Sequence, residues 1–192
     1  MTLKLVPNGH KIEVRVKGPN VMKGYWEAPS LTDQAFDEEG YYMMGDAVKW
    51  ADPDDPSAGL VFDGRVAEDF KLSSGTWVSV TNVRTGVLAT AAGVLMDVVV
   101  CGQDRDELAL LAWLSATAGP SGPKRAREAI AKWNTENPSS STKVTRVLFM
   151  SEPPNIDAGE ITDKGYINQR ATLERRADLI EEVYSTPRLM VV

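Results

Sequence analysis

Two apolar runs near the middle of the chain constrain its fold more than any other feature of the sequence. Residues 94–100 and residues 108–114 are almost entirely apolar, and a charged segment, residues 102–107, separates them. Apolar runs of this length without regular polar alternation are typical of strands that are buried on both faces. The sequence therefore predicts a β-hairpin with two buried arms and a charged turn.

The segments around this hairpin combine helical and β patterns. Residues 77–80 are predicted as a strand and residues 81–88 as a helix or turn. Residues 124–137 place apolar side chains at helical spacing, residues 144–150 form a third β-type run, and residues 167–184 predict a final amphipathic helix. This order predicts a small two-layer α/β domain, in which a three-stranded sheet packs against helices.

The first third of the chain has a β-rich pattern instead. Residues 3–6 and 11–17 flank a Pro-Asn-Gly turn and predict a hairpin, whose second arm alternates polar and apolar residues. Gly45-Asp46 is predicted to separate two paired strands, residues 41–44 and residues 47–50. The fold class predicted for the whole chain is therefore α+β, with a β-rich N-terminal segment followed by the small α/β domain.

A short helical segment is predicted within this β-rich part. Ser30 is the predicted N-cap, and Asp33 follows three residues later, as in a capping box. Tyr25 and Trp26 come just before this segment, and we interpret them as packing anchors rather than ligand contacts.

The composition is that of an ordinary soluble globular protein and disfavours several classes of function. A net charge of −6 and a pI near 4.9 are opposite to what phosphate-driven nucleic-acid binding requires. The single cysteine, Cys101, excludes an internal disulfide framework, and its apolar neighbours predict a buried structural thiol. The single histidine, His10, lies in a predicted turn, which disfavours a Ser-His-Asp or Cys-His catalytic unit. No apolar run approaches about 20 residues, so no membrane partner is expected, and the cytoplasm is the expected compartment.

Candidate functional residues concentrate in residues 64–77, between the two parts of the chain. From these residues alone, a charged hairpin between two strands explains the pattern as well as a functional site does. Upstream, Asp46 follows a glycine at a predicted strand end. Its carboxylate could cap the local backbone or accept hydrogen bonds from a diol such as ribose. Taken alone, the structural interpretation of Asp46 is favoured.

Three segments in this order resemble the late motifs of adenylate-forming enzymes, the superfamily of acyl-CoA synthetases, luciferases and peptide-synthetase adenylation domains. They are Gly24-Tyr25-Trp26 with residues 32–40, then residues 41–46, then Gly64-Arg65 with Asp69-Phe70-Lys71 and Gly75. Within the superfamily, residues 64–78 and residues 157–170 resemble the feruloyl-CoA synthetase branch. The resemblance covers nearly the whole chain, but only the C-terminal third of such an enzyme.

The resemblance implies both a reaction and a domain organisation. Such enzymes adenylate a carboxylic acid with Mg-ATP, release pyrophosphate, and transfer the acyl group to the thiol of coenzyme A (CoA). Residues 1–65 would end the large N-terminal, AMP-binding domain, and residues 66–192 would form the mobile C-terminal domain. The Gly/Ser/Thr-rich phosphate loop of the family is not found in this sequence. The chain is therefore expected to be a fragment, or to need a partner chain, and the missing domain would bind most of the Mg²⁺ and ATP.

The resemblance also implies roles for individual residues in nucleotide binding. Asp46 would accept hydrogen bonds from both ribose hydroxyls, and Arg65 would lie beside the ribose and phosphate, where a guanidinium matches phosphate oxygens. The family usually has Arg-Thr where this chain has Met43-Met44.

A hinge and a CoA-binding segment are implied next. The family's hinge residue is commonly Asp or Lys, and here the position falls on Ala67, or on Glu68 beside it. After rotation about the hinge, Lys71, Gly75 and Trp77 would line the CoA tunnel. The alternative for Trp77, a core aromatic in the predicted strand, stays open.

Lys164 is the implied catalytic residue. In the family, a lysine on a late loop reaches the α-phosphate of ATP and the carboxylate of the acid. The usual motif places this lysine directly after a glycine, whereas Glu160 follows Gly159 here. A carboxylate cannot neutralise these oxygens, so Lys164 is assigned, with a solvated loop lysine as the alternative.

Two functions are carried forward from the sequence. The first is the C-terminal part of an ATP-dependent carboxylic acid–CoA ligase. The resemblance implies feruloyl-type acids as substrates, and the isolated chain is expected to be inactive. The alternative is a non-catalytic nucleotide- or CoA-binding module or partner domain. No nucleic-acid partner is expected, and a homodimer is left open.

Overall fold

The computed structural model describes residues 1–186, which divide into two compact units. The first unit is Met1–Ala67, and the second begins at Glu68. The first unit is built on a four-stranded sheet, and the second contains a three-stranded sheet, a two-stranded hairpin and helices. The predicted fold class, a β-rich first part followed by a three-stranded sheet with helices, is confirmed. No helix among residues 1–186 is long and apolar enough to cross a membrane.

The sheet of the first unit is antiparallel throughout. Its strands in spatial order are β1 (Thr2–Asn8), β2 (Lys11–Lys17), β3 (Tyr42–Trp50) and β4 (Leu60–Arg65). The predicted N-terminal hairpin is confirmed by the pairing of β1 with β2. A short helix, α1 (Pro29–Ala35), and a single 3₁₀ turn, Pro56–Ala58, lie in the connections.

The predicted break at Gly45-Asp46 is wrong, because β3 runs through it as one strand. Gly45 has a φ of +73°, and the register between β3 and β4 shifts between Asp46 and Val48. A glycine tolerates this left-handed conformation, so the strand absorbs an irregularity without ending.

Ser30 is not the N-cap of α1, in contrast to the prediction. The helix begins at Pro29, with Ala28 in the cap position and no side-chain capping bond. Proline suits the first helical position because its φ is already helical. The hydroxyl of Thr32 accepts a hydrogen bond from the Tyr25 N–H at 2.9 Å and donates one to the Ala28 carbonyl at 3.0 Å.

Tyr25 and Trp26 are not packing anchors within the first unit. Tyr25 is 43% exposed and Trp26 is 90% exposed. Both lie in a turn before α1, where Glu27 has a φ of +51°. Because this turn lies outside the sheet, no strand or helix periodicity in the surrounding sequence indicates whether the two side chains are buried or exposed.

The second unit begins with a two-stranded hairpin and a helix. The hairpin pairs β5 (Phe70–Lys71) with β6 (Trp77–Val78), and α2 (Val80–Ala91) follows. The predicted strand at residues 77–80 is therefore too long. The carboxylate of Asp69 accepts a hydrogen bond from the Val80 N–H at 3.1 Å, and this bond satisfies one of the first N–H groups of α2.

The central sheet of the second unit has the order β7-β8-β9. Strands β7 (Leu95–Cys101) and β8 (Leu108–Leu114) form the predicted antiparallel hairpin, and β9 (Val144–Phe149) pairs parallel to β8. Helix α3 (Gly122–Glu136) connects β8 to β9, as a parallel pair requires. The two apolar runs are buried as predicted except at Met96, which is 53% exposed, and at the partly buried Asp97 and Leu114. Leu108, Leu110 and Leu111 are fully inaccessible.

Helices cover both faces of this sheet. On one face, Val83 and Val87 of α2 and Ile130 of α3 pack against the strands. The two helices approach closely, since a Cβ at Gly86 would lie 2.2 Å from the ring of Trp133. The other face packs against the C-terminal helices. Cys101 lies there, 2% exposed, and burial raises the pKa of its thiol to about 12, as expected of a structural thiol.

The final helix is interrupted, although the sequence predicted one helix over residues 167–184. Helix α4 (Gln169–Arg175) ends before Arg176, and α5 (Ala177–Ser185) begins after it. Arg176 has a non-helical backbone conformation, with φ −106° and ψ 28°. Its side chain forms an ion pair with the buried Glu160. This long-range contact accompanies the break, and the amphipathic pattern of the sequence does not include it.

Candidate functional site

Asp46 and Arg65 form a surface pair in the first unit. They are direct partners across β3 and β4, and Arg65 Nη1 donates to Asp46 Oδ1 at 2.9 Å. Their side chains are 31% and 54% exposed. The bond uses one carboxylate oxygen and one guanidinium nitrogen, so hydrogen-bonding capacity remains on both groups for a ligand. A diol and a phosphate are the ligand groups that suit such a pair.

Ala67 and Glu68 lie at the boundary between the two units. Residues 66–68 form a turn, in which Ala67 is exposed and Glu68 is partly buried. Just beyond them, Asp69 is fixed to the second unit by its bond with the Val80 N–H. The turn lies between β4, which belongs to the first unit, and the β5–β6 hairpin, which belongs to the second.

Lys71 and Trp77 are brought together on the β5–β6 hairpin. They are direct cross-strand partners, and the ammonium of Lys71 lies 4.9 Å from the centroid of the Trp77 ring. Trp77 is 38% exposed, whereas its neighbour Val78 is fully buried, so Val78 and not Trp77 is the core residue of β6. The hairpin therefore presents a cation on an aromatic face to solvent.

Gly75 forms the turn of this hairpin. Its N–H donates to the Leu72 carbonyl at 2.8 Å, and its φ is +81°. No atom lies within 4 Å of the position that a Cβ would take. Glycine is therefore favoured here by the backbone conformation and not by lack of space.

The turn between β7 and β8, residues 102–107, holds the hairpin in place. The Asp104 N–H donates to the Lys71 carbonyl at 3.0 Å, and the Ser73 N–H donates to the Arg105 carbonyl at 2.9 Å. The Ser73 hydroxyl also donates to the Asp106 carboxylate at 2.5 Å. Sequence reasoning missed Asp106, because more than 30 residues separate it from the hairpin and no local pattern connects them.

Lys164 lies at the tip of a second, smaller hairpin. Its feet, Ile161 and Ile167, form an isolated β-bridge, and the Gly165 N–H donates to the Thr162 carbonyl at 2.9 Å. Lys164 occupies the third position of this turn and is exposed. Within the second unit, it lies on a different loop from the Lys71–Trp77 pair.

Glu160 precedes this small hairpin and is fully buried, unlike Lys164. Its carboxylate forms a two-point ion pair with Arg176, at 2.6 and 2.9 Å, and accepts a hydrogen bond from the Asn155 N–H at 2.7 Å. Burial alone would raise the pKa of Glu160, but these hydrogen bonds outweigh it and lower the pKa below its ordinary value. Sequence reasoning did not find Arg176, whose position in an amphipathic helix suggested a solvated charge.

Metal ligands do not form a cluster in the part of the chain that the structure describes. Among residues 1–186, no three His, Cys, Asp or Glu side chains are grouped so as to hold a metal ion.

Comparison with known proteins gives a consistent family match. A family model for the AMP-binding enzyme C-terminal domain matches residues 71–188. A chloroplastic long-chain-fatty-acid–(acyl-carrier-protein) ligase of Arabidopsis thaliana is 28% identical over 96% of this chain and 27% of its own length. A long-chain-fatty-acid–CoA ligase of Cavia porcellus is 40% identical over 35% of this chain and 9% of its own length.

Solved structures of the same kind share the fold. The adenylation domain of a carboxylate reductase from Mycobacterium chelonae superposes with a TM-score of 0.78 at 21% identity, over 97% of this chain and 31% of that one. The corresponding domain from Segniliparus rugosus, in complex with AMP and a co-purified carboxylic acid, gives a TM-score of 0.77 at 20% identity, over 96% and 31% of the two chains. The chain thus spans less than a third of the length of these relatives.

Proposed function

Because the chain belongs to the family of AMP-binding enzyme C-terminal domains, we propose that it is the C-terminal part of an ATP-dependent carboxylic acid–CoA ligase. The observation that carries the proposal is the family match over residues 71–188, which includes Lys71, Gly75, Trp77 and Lys164. The complete enzyme is the longer chain in which these residues would work.

The reaction has two half-reactions. In the first, a carboxylate oxygen attacks the α-phosphorus of ATP, the bond to pyrophosphate breaks, and an acyl-adenylate forms. In the second, a thiol attacks the carbonyl carbon of the acyl-adenylate, AMP leaves, and a thioester remains. Mg²⁺ would neutralise phosphate charge during the first step, held mainly by the rest of the complete enzyme.

The nucleotide would be bound by the Asp46–Arg65 pair in the first unit. The unshared oxygen of Asp46 is suited to accept from a ribose hydroxyl, and a ligand diol could compete with Arg65 for the other oxygen. Arg65 would then be available to the phosphate. The surface exposure of both side chains supports this role.

CoA would be bound by the β5–β6 hairpin. Lys71 offers a positive charge, Trp77 offers a partly exposed ring, and the turn at Gly75 leaves open space beside the backbone for the pantetheine arm. Rotation about Ala67 or Glu68 would bring this hairpin to the acyl-adenylate, and the turn between the units supports a hinge there.

The identity of the acid substrate is the most specific part of the proposal. The resemblance of residues 64–78 and 157–170 favours feruloyl-type aromatic acids, whereas the curated relatives are named for long-chain fatty acids. The acid pocket would lie in the large N-terminal domain, so feruloyl specificity rests on the resemblance alone.

Lys164 provides the test of the proposed function. We expect Lys164→Ala in the complete enzyme to lower ATP–pyrophosphate exchange on the order of 10²–10³-fold, because one preorganised charge is lost from the transition state. The second half-reaction, measured from supplied acyl-adenylate, should keep its rate. Lys143→Ala, at another exposed lysine of the second unit, serves as the control. Unimpaired ATP–pyrophosphate exchange in Lys164→Ala would contradict the assignment of Lys164 as the catalytic residue.

A further inference from the structure

The buried ion pair between Glu160 and Arg176 joins three segments of the second unit. Arg176 donates through Nε and Nη2 to the two oxygens of Glu160, and Nη2 also donates to the Pro153 carbonyl at 3.1 Å. The side chains are 0% and 3% exposed. The guanidinium also lies 5.4 Å from the centroid of the Trp113 ring on β8. The pair therefore fixes the start of the Lys164 hairpin to the α4–α5 junction and to the central sheet.

Burying an ion pair such as this one in a protein interior costs desolvation free energy. Two charges lose their hydration when they are buried, and apolar residues of similar volume are often as stable or more stable. Both oxygens of Glu160 are hydrogen-bonded here, and Oε2 also accepts the Asn155 N–H. The remaining nitrogen of Arg176, Nη1, lies 3.7 Å from the Glu152 carboxylate, and Arg175 Nε lies 3.5 Å from Glu160. A directional, two-point contact fixes a position more sharply than apolar packing does. The pair is thus better suited to setting a location than to adding stability.

The ion pair bears on the position of Lys164. Both ends of the Lys164 hairpin are attached to Glu160: Ile161 follows Glu160 directly, and the Asn168 N–H donates to the Glu160 carbonyl at 2.9 Å. Residues 163–166 are exposed and project beyond this attachment. The place of Lys164 therefore depends on how Glu160 is held.

We propose that the Glu160–Arg176 pair is a positioning device for Lys164, and that its loss selectively slows the adenylation half-reaction. The proposal rests on the proposed function, in which Lys164 contacts the reacting groups. Neither Glu160 nor Arg176 touches a substrate in this scheme, because both side chains are buried.

The test uses Glu160→Gln in the complete enzyme, with both half-reactions measured separately. We expect the rate of ATP–pyrophosphate exchange to fall by up to about 10²-fold, because small displacements of a catalytic group cause losses of this size. Thioester formation from supplied acyl-adenylate should change less than about twofold. If Glu160→Gln fails to fold, Arg176→Lys, which keeps the charge and loses the two-point contact, is expected to give the same selective loss.

The control is a second two-point ion pair in the same unit, far along the chain from Lys164. Arg84 of α2 donates to Asp97 of β7 at 2.8 and 2.6 Å, and the side chains are 18% and 16% exposed. Asp97→Asn should lower the melting temperature without separating the two half-reactions. An equal fall in both half-reactions in Glu160→Gln or Arg176→Lys would overturn the positioning role.

A double variant separates this proposal from the proposed function. In a Lys164→Ala background, Glu160→Gln should cause no further loss of exchange, because the residue it positions is already absent. Additive losses would contradict the positioning role and leave the proposed function standing. If Lys164→Ala alone leaves exchange intact, the proposed function fails and Glu160 has no catalytic group to position.

Discussion

Asp37 is a mostly buried carboxylate of the first unit, and its two oxygens accept four hydrogen bonds. One oxygen accepts the N–H groups of Glu39 and Tyr41, at 3.1 and 2.9 Å, and the other accepts from Lys4 and Arg15, at 3.1 and 3.2 Å. The Tyr41 N–H bond is the main cause that lowers the pKa of Asp37 far below its ordinary value, and the two cations add to it against the opposing effect of burial. The charged form is therefore the form that the fold stabilises.

We predict that this carboxylate makes the stability of the first unit depend on pH in the acid range. A depressed pKa contributes stability that is fully present above the unfolded pKa of about 3.9 and is lost as the pH falls toward the folded pKa. Asp37→Asn should lower the melting temperature near neutral pH, and the gap to the parent chain should narrow below about pH 4. Thermal denaturation followed by circular dichroism measures this gap.

The neighbouring exposed carboxylate supplies the comparison for Asp37. Glu38→Gln removes one charge from the same loop and should leave the melting temperature nearly unchanged across the same pH range. A gap for Asp37→Asn that stays constant down to about pH 3 would contradict the assignment of the pKa shift to folding.

At the scale of elements, the β5–β6 hairpin depends on the β7–β8 turn for its position. If the hairpin binds CoA as proposed, we predict that Asp106→Ala raises the KM for CoA in the second half-reaction by about 2- to 10-fold, the effect of one net hydrogen bond. The reason is that the Ser73 hydroxyl loses its acceptor while the two backbone bonds remain. Steady-state kinetics of thioester formation in the complete enzyme measures the change.

Asp106→Asn is the matched variant, because it keeps an oxygen acceptor for Ser73. It should recover most of the KM for CoA. A fall in ATP–pyrophosphate exchange equal to the fall in thioester formation would argue that Asp106 supports the whole unit and not the hairpin.

Elements whose signals are local were predictable from the sequence, and elements defined by distant contacts were not. The buried arms at residues 94–100 and 108–114 were found because burial on both faces leaves a continuous apolar pattern. The interruption at Arg176 depends on Glu160, sixteen residues away, and the start of α2 depends on Asp69, eleven residues before Val80. A pattern read along the chain does not contain such pairings.

The candidate site divides along the same line. Asp46 and Arg65 lie opposite each other because β3 and β4 pair, and the family resemblance in the sequence implies roles for both residues. The exposure of Trp77 and the burial of Glu160 are set by tertiary packing, which the sequence does not show directly. Side chains with polar ends on apolar stems can take either environment, so their type alone does not decide it.

At the scale of the whole molecule, the boundary between the units falls on a short turn, residues 66–68, in which Ala67 is exposed. We predict that Ala67→Pro, which fixes φ near −65° and restricts the preceding residue, separates the two half-reactions in the complete enzyme. Acyl-CoA formation should fall on the order of tenfold while at least one isolated half-reaction keeps its rate, because a hinge must adopt more than one backbone conformation.

Ala67→Gly, which adds backbone freedom at the same position, provides the comparison for the proposed hinge. It should keep both half-reactions and the overall turnover close to those of the parent enzyme. Equal effects of proline on all three rates would place the hinge elsewhere, with Glu68 as the next position to substitute.

The side chain of Gln169 has a consequence for solubility. Its amide is 2% exposed and accepts the N–H of Val100 at 3.2 Å while donating to the Val100 carbonyl at 2.6 Å. Val100 lies on β7, an outer strand of the three-stranded sheet, and open strand edges invite pairing with other chains. The amide takes the place that a neighbouring peptide group would occupy, so at this point an aggregating strand finds the edge already paired.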